Sequence, residues 1–114
     1  MIEILRDQEK LCEARVANGF FSRLFGLMFK KELPTDEGLL IEYSPYFGSK
    51  AVHGFFMRFP LDLIFLSKDK KVVDTAHLKP WSIYNPKKEC RWVLEVEEGF
   101  VGRKGIKKGD VLSF

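Results

Sequence analysis

The chain has 114 residues, 46% of them hydrophobic and 11 of them Phe, which is enough apolar mass for one full core and too little length for two self-sufficient ones. A single domain spanning residues 1–114 is therefore expected, and disorder is not. The formal net charge of +3 is spread over short lysine groups (Lys30-Lys31, Lys68 to Lys71, Lys87-Lys88, Lys107-Lys108) that lie near Glu or Asp, which reads as solvated turns and argues against nucleic acid as a partner.

No stretch approaches the roughly 18 apolar residues of a membrane-spanning helix, so no membrane association is expected. The N-terminus is charged within three residues and has no long apolar run, which predicts no secretory signal and a cytoplasmic location.

In chain order, residues 2–6 and 11–17 read as strands. Apolar side chains at Phe20, Phe21, Leu24, Phe25 and Met28 then take the spacing of one helical face, which predicts a short helix at about residues 20–29. Asn18 is available as its N-cap, Lys30-Lys31 suit its last turn, and Pro34 lies beyond it. Further strands are expected near 38–43, 52–58, 61–67, 71–76, 92–96 and 110–114, because these runs are short, rich in β-branched and aromatic residues, and bounded by Gly, Pro, Asp or Lys.

The segment from Ser67 to Lys71 suits a hairpin turn. Residues 80–88, with Pro80 and Pro86, form the longest irregular loop, and Gly105 and Gly109-Asp110 mark two turns before the last strand. The fold class is mostly β: a compact antiparallel β sandwich or partly closed barrel, with the one short N-terminal helix covering an open end.

Among residues able to carry chemistry, Asp62 draws first notice because it stands between Leu61 and a fully apolar run. A buried, ionised Asp costs several kcal/mol, roughly, unless a cation or several donors meet it. Arg23, Arg58 and His53 are the candidates. In an unbroken strand Arg58 and Asp62 share a face about 13 Å apart, too far for contact, and Pro60 interrupts that parity. Two readings of Asp62 stand open: it takes backbone N–H groups or Arg23 and locks the fold, or it is poised in a cleft as a general acid or base. His53 is either a hydrogen-bonded structural residue or a base.

No Cys-x-x-Cys, His-x-His or His-Glu-x-x-His spacing exists, so no metal is expected. No nucleophile elbow, phosphate loop or dinucleotide fingerprint occurs, so no cofactor is expected. Cys12 and Cys90 are expected as free, inert thiols. The stripe that includes Phe25, Met28, Phe55, Phe56 and Met57 is core, or else lines an apolar pocket rimmed by Arg23 and Asp62.

Arg23-Leu24-Phe25-Gly26-Leu27-Met28 resembles the Arg-x-x-Gly-Leu-Met signature of the domain-of-unknown-function family 192. Phe56-Met57-Arg58 and Pro60-Leu61-Asp62-Leu63-Ile64-Phe65 resemble its central Trp-Met and Pro-Leu-Asp motif, with Phe56 in the place of Trp. Val93-Leu94-Glu95-Val96 followed by Gly99, and Gly109-Asp110, resemble its two C-terminal motifs. The resemblance spans roughly residues 11–114, implies a compact, mostly β domain and implies no activity. It marks Arg23, Gly26, Met28, Met57, Asp62, Glu95, Gly99, Gly109 and Asp110. The glycines suit turns or close backbone approach, and Asp110 suits a turn acceptor, which leaves Arg23, Asp62 and Glu95 without a local account.

The function expected on these grounds is binding of an unidentified small molecule or protein partner in a cleft near Arg23 and Asp62, with His53, Arg58 and Glu95 as further ligand-binding candidates. The alternatives are an enzyme using Asp62 as general acid or base, and a structural or interaction module with no small-molecule site.

Overall fold

A computed structural model of the chain describes residues 1–17, 33–43, 50–54 and 57–114. Within them the chain forms strands β1 (Ile2–Arg6), β2 (Glu9–Ala17), β3 (Glu37–Glu42), β4 (Val52–His53), β5 (Leu61–Leu66), β6 (Val72–Leu78), β7 (Ile83–Tyr84) and β8 (Trp92–Glu97), followed by one turn and a half of helix, α1 (Phe100–Lys104). Six strands build one sheet in the order β1-β2-β3-β8-β5-β6, and β4 pairs with β7 in a separate two-stranded sheet.

The central strands explain the order. All six residues of β5 are buried, as are the middle four of β3 and of β8. A strand apolar on both faces needs cover on both faces, so these three stand side by side at the middle of the sheet. One face carries Ile4, Leu40, Ile64, Leu94, Val96 and Phe100, and the other carries Leu39, Ile41, Leu61, Leu63, Phe65 and Val93. The period of two along each strand separates the two cores.

Three expectations are corrected. The sheet is mixed rather than antiparallel, because β2 and β3 run parallel while the other neighbours are antiparallel. A parallel pair cannot be joined by a tight hairpin, and the chain between Ala17 and Glu37 is long enough for the crossover that such a pair needs. The arrangement is also not two packed sheets of comparable size, and the large sheet does not close. Its edge strands β1 and β6 are linked near one end only, through isolated bridges from Ser113 to Leu5 and from Val111 to Lys71. Those two bridges stand where a full strand at 110–114 is expected.

Among the described residues the strand expected at 52–58 pairs at Val52 and His53, and its partner β7 falls inside the segment read as an irregular loop. Gly54 extends the contact between these two segments. Its N–H donates to the Ser82 carbonyl and its carbonyl accepts from Trp81, both at 2.7 Å. A Cβ at Gly54 would stand 2.7 Å from the Lys79 carbonyl oxygen. The helix expected at about 20–29 lies outside the described residues.

Beyond β8 the chain turns at Gly99, where φ is +91°, into α1, and leaves it through Gly105 at φ +63°, both in the region that favours glycine. The Arg6 guanidinium closes this end. It donates to the Lys104 carbonyl at 2.8 Å, the Gly105 carbonyl at 3.1 Å and Asp110 Oδ2 at 3.1 Å. Asp110 Oδ2 also accepts the Lys107 N–H at 3.0 Å, the turn acceptor that the sequence suggests.

Candidate functional site

Strands β5 and β8 run antiparallel with Asp62 opposite Val96 and Leu63 opposite Glu95. Asp62 therefore shares a face with Ile64 and Val96, and Glu95 shares the other face with Leu63 and Val93. The two carboxyl-bearing residues that resist a local account are neighbours in the sheet with side chains on opposite sides of it.

On its face Asp62 is buried and answered. Its Oδ2 accepts the Val101 N–H at 2.9 Å, which satisfies one of the free amides at the start of α1. The first of the two open readings, a carboxylate held by backbone N–H, describes this contact. Flanking Asp62 across β6 is His77, whose Nε2 lies 2.5 Å from Glu98 Oε2 in an exposed pair at the rim.

The opposite face carries two buried carboxyl groups in contrasting states. Asp74, opposite Phe65 in the register, accepts the Tyr84 hydroxyl at 2.7 Å and the N–H groups of Thr75 and Lys87 at 3.0 and 3.1 Å. Burial would raise its pKa, but the Tyr84 hydroxyl and the two N–H groups outweigh it and hold the group below the usual carboxylate range. In return the hydrogen bond to Asp74, helped by burial, pushes the Tyr84 phenol up to about 12. Tyr84 stacks on Phe65 with ring centroids 5.6 Å apart, which seats the small β4-β7 sheet against the large one.

Glu95 has none of this support. It lies in the middle of a cross-strand row between Leu39 of β3 and Leu63 of β5. The leucines are 1% and 0% exposed and Glu95 is 6% exposed. No hydrogen bond or ion pair to its carboxyl is formed among the described residues. Burial alone pushes the group up to about 7.

The other candidates are placed as follows. His53 is half-buried in β4, opposite Ile83. Arg58 is exposed. Arg23, with Gly26 and Met28 of the same motif, lies outside the described residues. Asp62 and Glu95 are thus adjacent in the fold without sharing a cleft. Asp74 and Tyr84 were not singled out by the sequence, and a lone Asp inside the apolar run Val72-Val73-Asp74 was the available signal.

Among the described residues no group of three or more His, Cys, Asp or Glu converges on a point that could hold a metal ion. Cys12 and Cys90 are free, buried and in the two different cores. Burial pushes the first thiol up to about 12 and the second up to about 11. Among the described residues no helix is long and apolar enough to cross a membrane.

Comparison with known proteins gives a consistent picture. A UPF0127 protein of Pyrococcus furiosus is 33% identical over 121 residues, covering 100% of this chain and 97% of the relative. A second UPF0127 protein, from Pyrococcus horikoshii, is 37% identical over 103 residues, covering 84% and 76% of the two chains. The crystal structure of a protein of unknown function from Novosphingobium aromaticivorans superimposes with a TM-score of 0.85 at 25% identity, over 98% of this chain and 82% of that one. The family model described as Uncharacterized ACR, DUF192, matches residues 2–114, and the chain belongs to that family.

Proposed function

We propose that this domain binds a small molecule on the sheet face that carries Glu95, with the Glu95 carboxyl as the polar group that recognises it. The observation that carries this reading is the contrast between two buried carboxyls on one face: Asp74 has three donors, and Glu95 has none among the described residues. A buried polar group without a partner costs roughly 1–3 kcal/mol and more when charged, a burden that a ligand donor would relieve.

On this reading Asp62 serves α1 rather than the ligand. A cytoplasmic location belongs to the same proposal, supported by two thiols that remain unpaired.

A second reading is favoured by one observation. A carboxyl raised to about 7 titrates near neutral pH, where a general acid or base is most effective, so a proton-transfer role would fall to Glu95 in preference to Asp62.

The test is a thermal-shift panel of metabolites on the wild-type chain, Glu95→Gln and Asp62→Asn. A ligand at about 100 times its dissociation constant adds roughly 2.7 kcal/mol and raises the melting temperature by several degrees in a domain of this size. The expected outcome is a shift lost in Glu95→Gln and kept in Asp62→Asn. A shift that survives Glu95→Gln, or silence across the panel, overturns the proposal.

A further inference from the structure

We infer that the outer side of the small β4-β7 sheet, with the turn at residues 79–82 that leads into it, is a peripheral contact with an anionic lipid surface, independently of any role for Glu95.

The turn carries an unexpected residue. The Lys79 carbonyl accepts the Ser82 N–H at 3.2 Å and the Ser82 hydroxyl at 2.5 Å, with Pro80 and Trp81 in the two middle positions. Proline at the first and a positive φ at the second mark a type II turn, whose second middle position favours Gly or Asn. Trp81 occupies that position at φ +63°. A bulky side chain held there strains the backbone, so Trp81 is present for its side chain and not for the turn. Gly54 clasps the turn with two 2.7 Å hydrogen bonds, donating to the Ser82 carbonyl and accepting from the Trp81 N–H. The indole, 61% exposed, is thus presented from a fixed backbone.

The neighbouring residues complete an amphipathic face. Tyr84 of β7 turns inward onto Phe65, so by strand alternation Ile83 points outward, and it is 57% exposed. Four exposed cations lie on the segments that meet here. Lys79 opens the turn, and Arg58 follows Met57, whose N–H shares the Gly54 carbonyl with Trp81. Lys87 is placed by its N–H on Asp74 Oδ2, the oxygen that also accepts the Tyr84 hydroxyl, and Lys88 is next to it. None of the four forms an ion pair among the described residues. Glu89, the one acid in the sequence between residues 79 and 91, is engaged by Lys50 at 3.3 Å.

The composition selects the partner. An indole for the headgroup level, an aliphatic side chain beside it and uncompensated cations on the flanking segments suit an anionic bilayer surface. A nucleic-acid strand has phosphates for the cations and a base for the indole, but no use for Ile83. Two apolar side chains cover far less than the roughly 800 Å² a side of a stable protein interface. A turn with its side chains outward enters a fluid surface without a matching pocket. The lack of a long apolar run excludes a membrane span, not a contact of this kind.

Co-sedimentation of the full chain with vesicles tests this, using phosphatidylcholine alone or with about one third phosphatidylglycerol, at about 0.1 and 0.5 M salt. The expected result is binding at least tenfold tighter to the anionic vesicles at low salt, a blue shift of tryptophan emission on binding, and loss of most of the affinity at high salt. Each basic side chain at an anionic surface is worth about fivefold, so the double variant Lys87→Gln, Lys88→Gln should bind about 25-fold more weakly. Trp81→Gly should bind at least tenfold more weakly and show no blue shift, with a melting temperature within a few degrees of wild type because Gly suits the turn. Equal binding to both vesicle types, or binding to neither, overturns the inference. Vesicle binding that a folded Trp81→Gly leaves intact overturns it as well. Where Trp81→Gly does not fold, the double lysine variant and the wild-type emission shift decide in its place. Quenching of tryptophan emission by an oligothymidylate, without vesicle binding, overturns the lipid assignment and gives the face to a nucleic acid.

Discussion

Asp62 and Glu95 stand on neighbouring antiparallel strands, one residue apart in register, and face opposite cores of the same sheet. Each is buried in the middle of an apolar strand, yet Asp62 receives the Val101 N–H and Glu95 receives no donor among the described residues. The same residue chemistry therefore serves two purposes, and the two positions should respond differently to substitution.

Asp62→Ala removes the acceptor for Val101 and leaves a free amide at the start of α1. A hydrogen bond to a charged group contributes about 1.5–3 kcal/mol, so a loss of that size is expected in urea unfolding. Asp62→Asn keeps a carbonyl oxygen in place and should cost less than half as much. Equal losses in the two variants would mean that the charge, and not the acceptor, is what α1 requires.

Tyr84→Phe deletes one of three donors to Asp74 while keeping the stack on Phe65. A loss of about 1–2 kcal/mol is expected, with a larger loss in Asp74→Ala, which leaves the Tyr84 hydroxyl and two N–H groups without their acceptor. The phenol offers a direct reading of the contact. Its folded pKa, about 12, is above the ordinary value near 10, so the stabilisation it gives is complete below pH 10 and is lost as pH rises toward 12. Phenolate absorbance should show one late-titrating tyrosine in the wild type, and Asp74→Asn should bring its midpoint down.

How far this architecture is legible in the sequence depends on how local each feature is. The run Leu61 to Leu66 announces a strand covered on both faces, and it is one. The end of β8 is less plain. Glu95 and Glu97 alternate with Leu94 and Val96 as in a half-exposed strand, and only the placement of β8 between β3 and β5 buries Glu95. That placement comes from the pairing of β8 with β3 on one side and β5 on the other, a long-range choice that period-two patterning does not encode. The two-residue strand β7 is shorter than any pattern can register, and five-residue α1 has too few turns to display a helical face. Gly99 and Gly105 bracket it at positive φ, but from the sequence Gly105 suggests only a turn, and no helix is expected there. Glu95 entered the candidate list through the family motif, and its burial gives that motif position a physical meaning.

Gly54→Ala should be among the most damaging single-methyl changes. The added carbon would meet the Lys79 carbonyl, which is backbone fixed by its own hydrogen bonds from Ser82, so neither side can yield cheaply. Gly99→Ala is the informative control, since nothing lies within 4 Å of its Cβ and only the backbone conformation resists. A loss of about 1–2 kcal/mol is expected at Gly99 and a larger one at Gly54, read by thermal unfolding.

The thiols provide a check on the two-core arrangement. With Cys12 pushed up to about 12 and Cys90 to about 11, chiefly by burial, neither holds appreciable thiolate at neutral pH. A chromogenic disulfide reagent at pH 8 should react slowly with the native chain and stoichiometrically, at two thiols, once the chain is unfolded in guanidinium. Because the sheet stands between the two residues, oxidation should yield no intramolecular bridge in the folded state. A fast native reaction would show that one core opens on the timescale of labelling.

The most diagnostic measurement is the stability of Glu95→Gln as a function of pH. In the folded wild type the carboxyl is raised to about 7, and in the unfolded chain it returns to about 4.5. Between these values the folded state holds the proton that the unfolded state has released. Wild-type stability from this group is therefore greatest below pH 4.5, declines as pH rises by up to about 1.4 kcal/mol per unit, and levels off above pH 7. Gln cannot ionise, so the difference between variant and wild type should move in favour of the variant by about 2–3 kcal/mol from pH 5 to pH 8. Guanidinium unfolding at four pH values across that range gives the curve directly. A flat difference would mean that Glu95 is already stabilised as a carboxylate in the folded protein, which would remove the ground for assigning it a ligand. The predicted rise would mean that the carboxyl keeps its proton in the folded state up to about pH 7, for want of a counter-charge among the described residues.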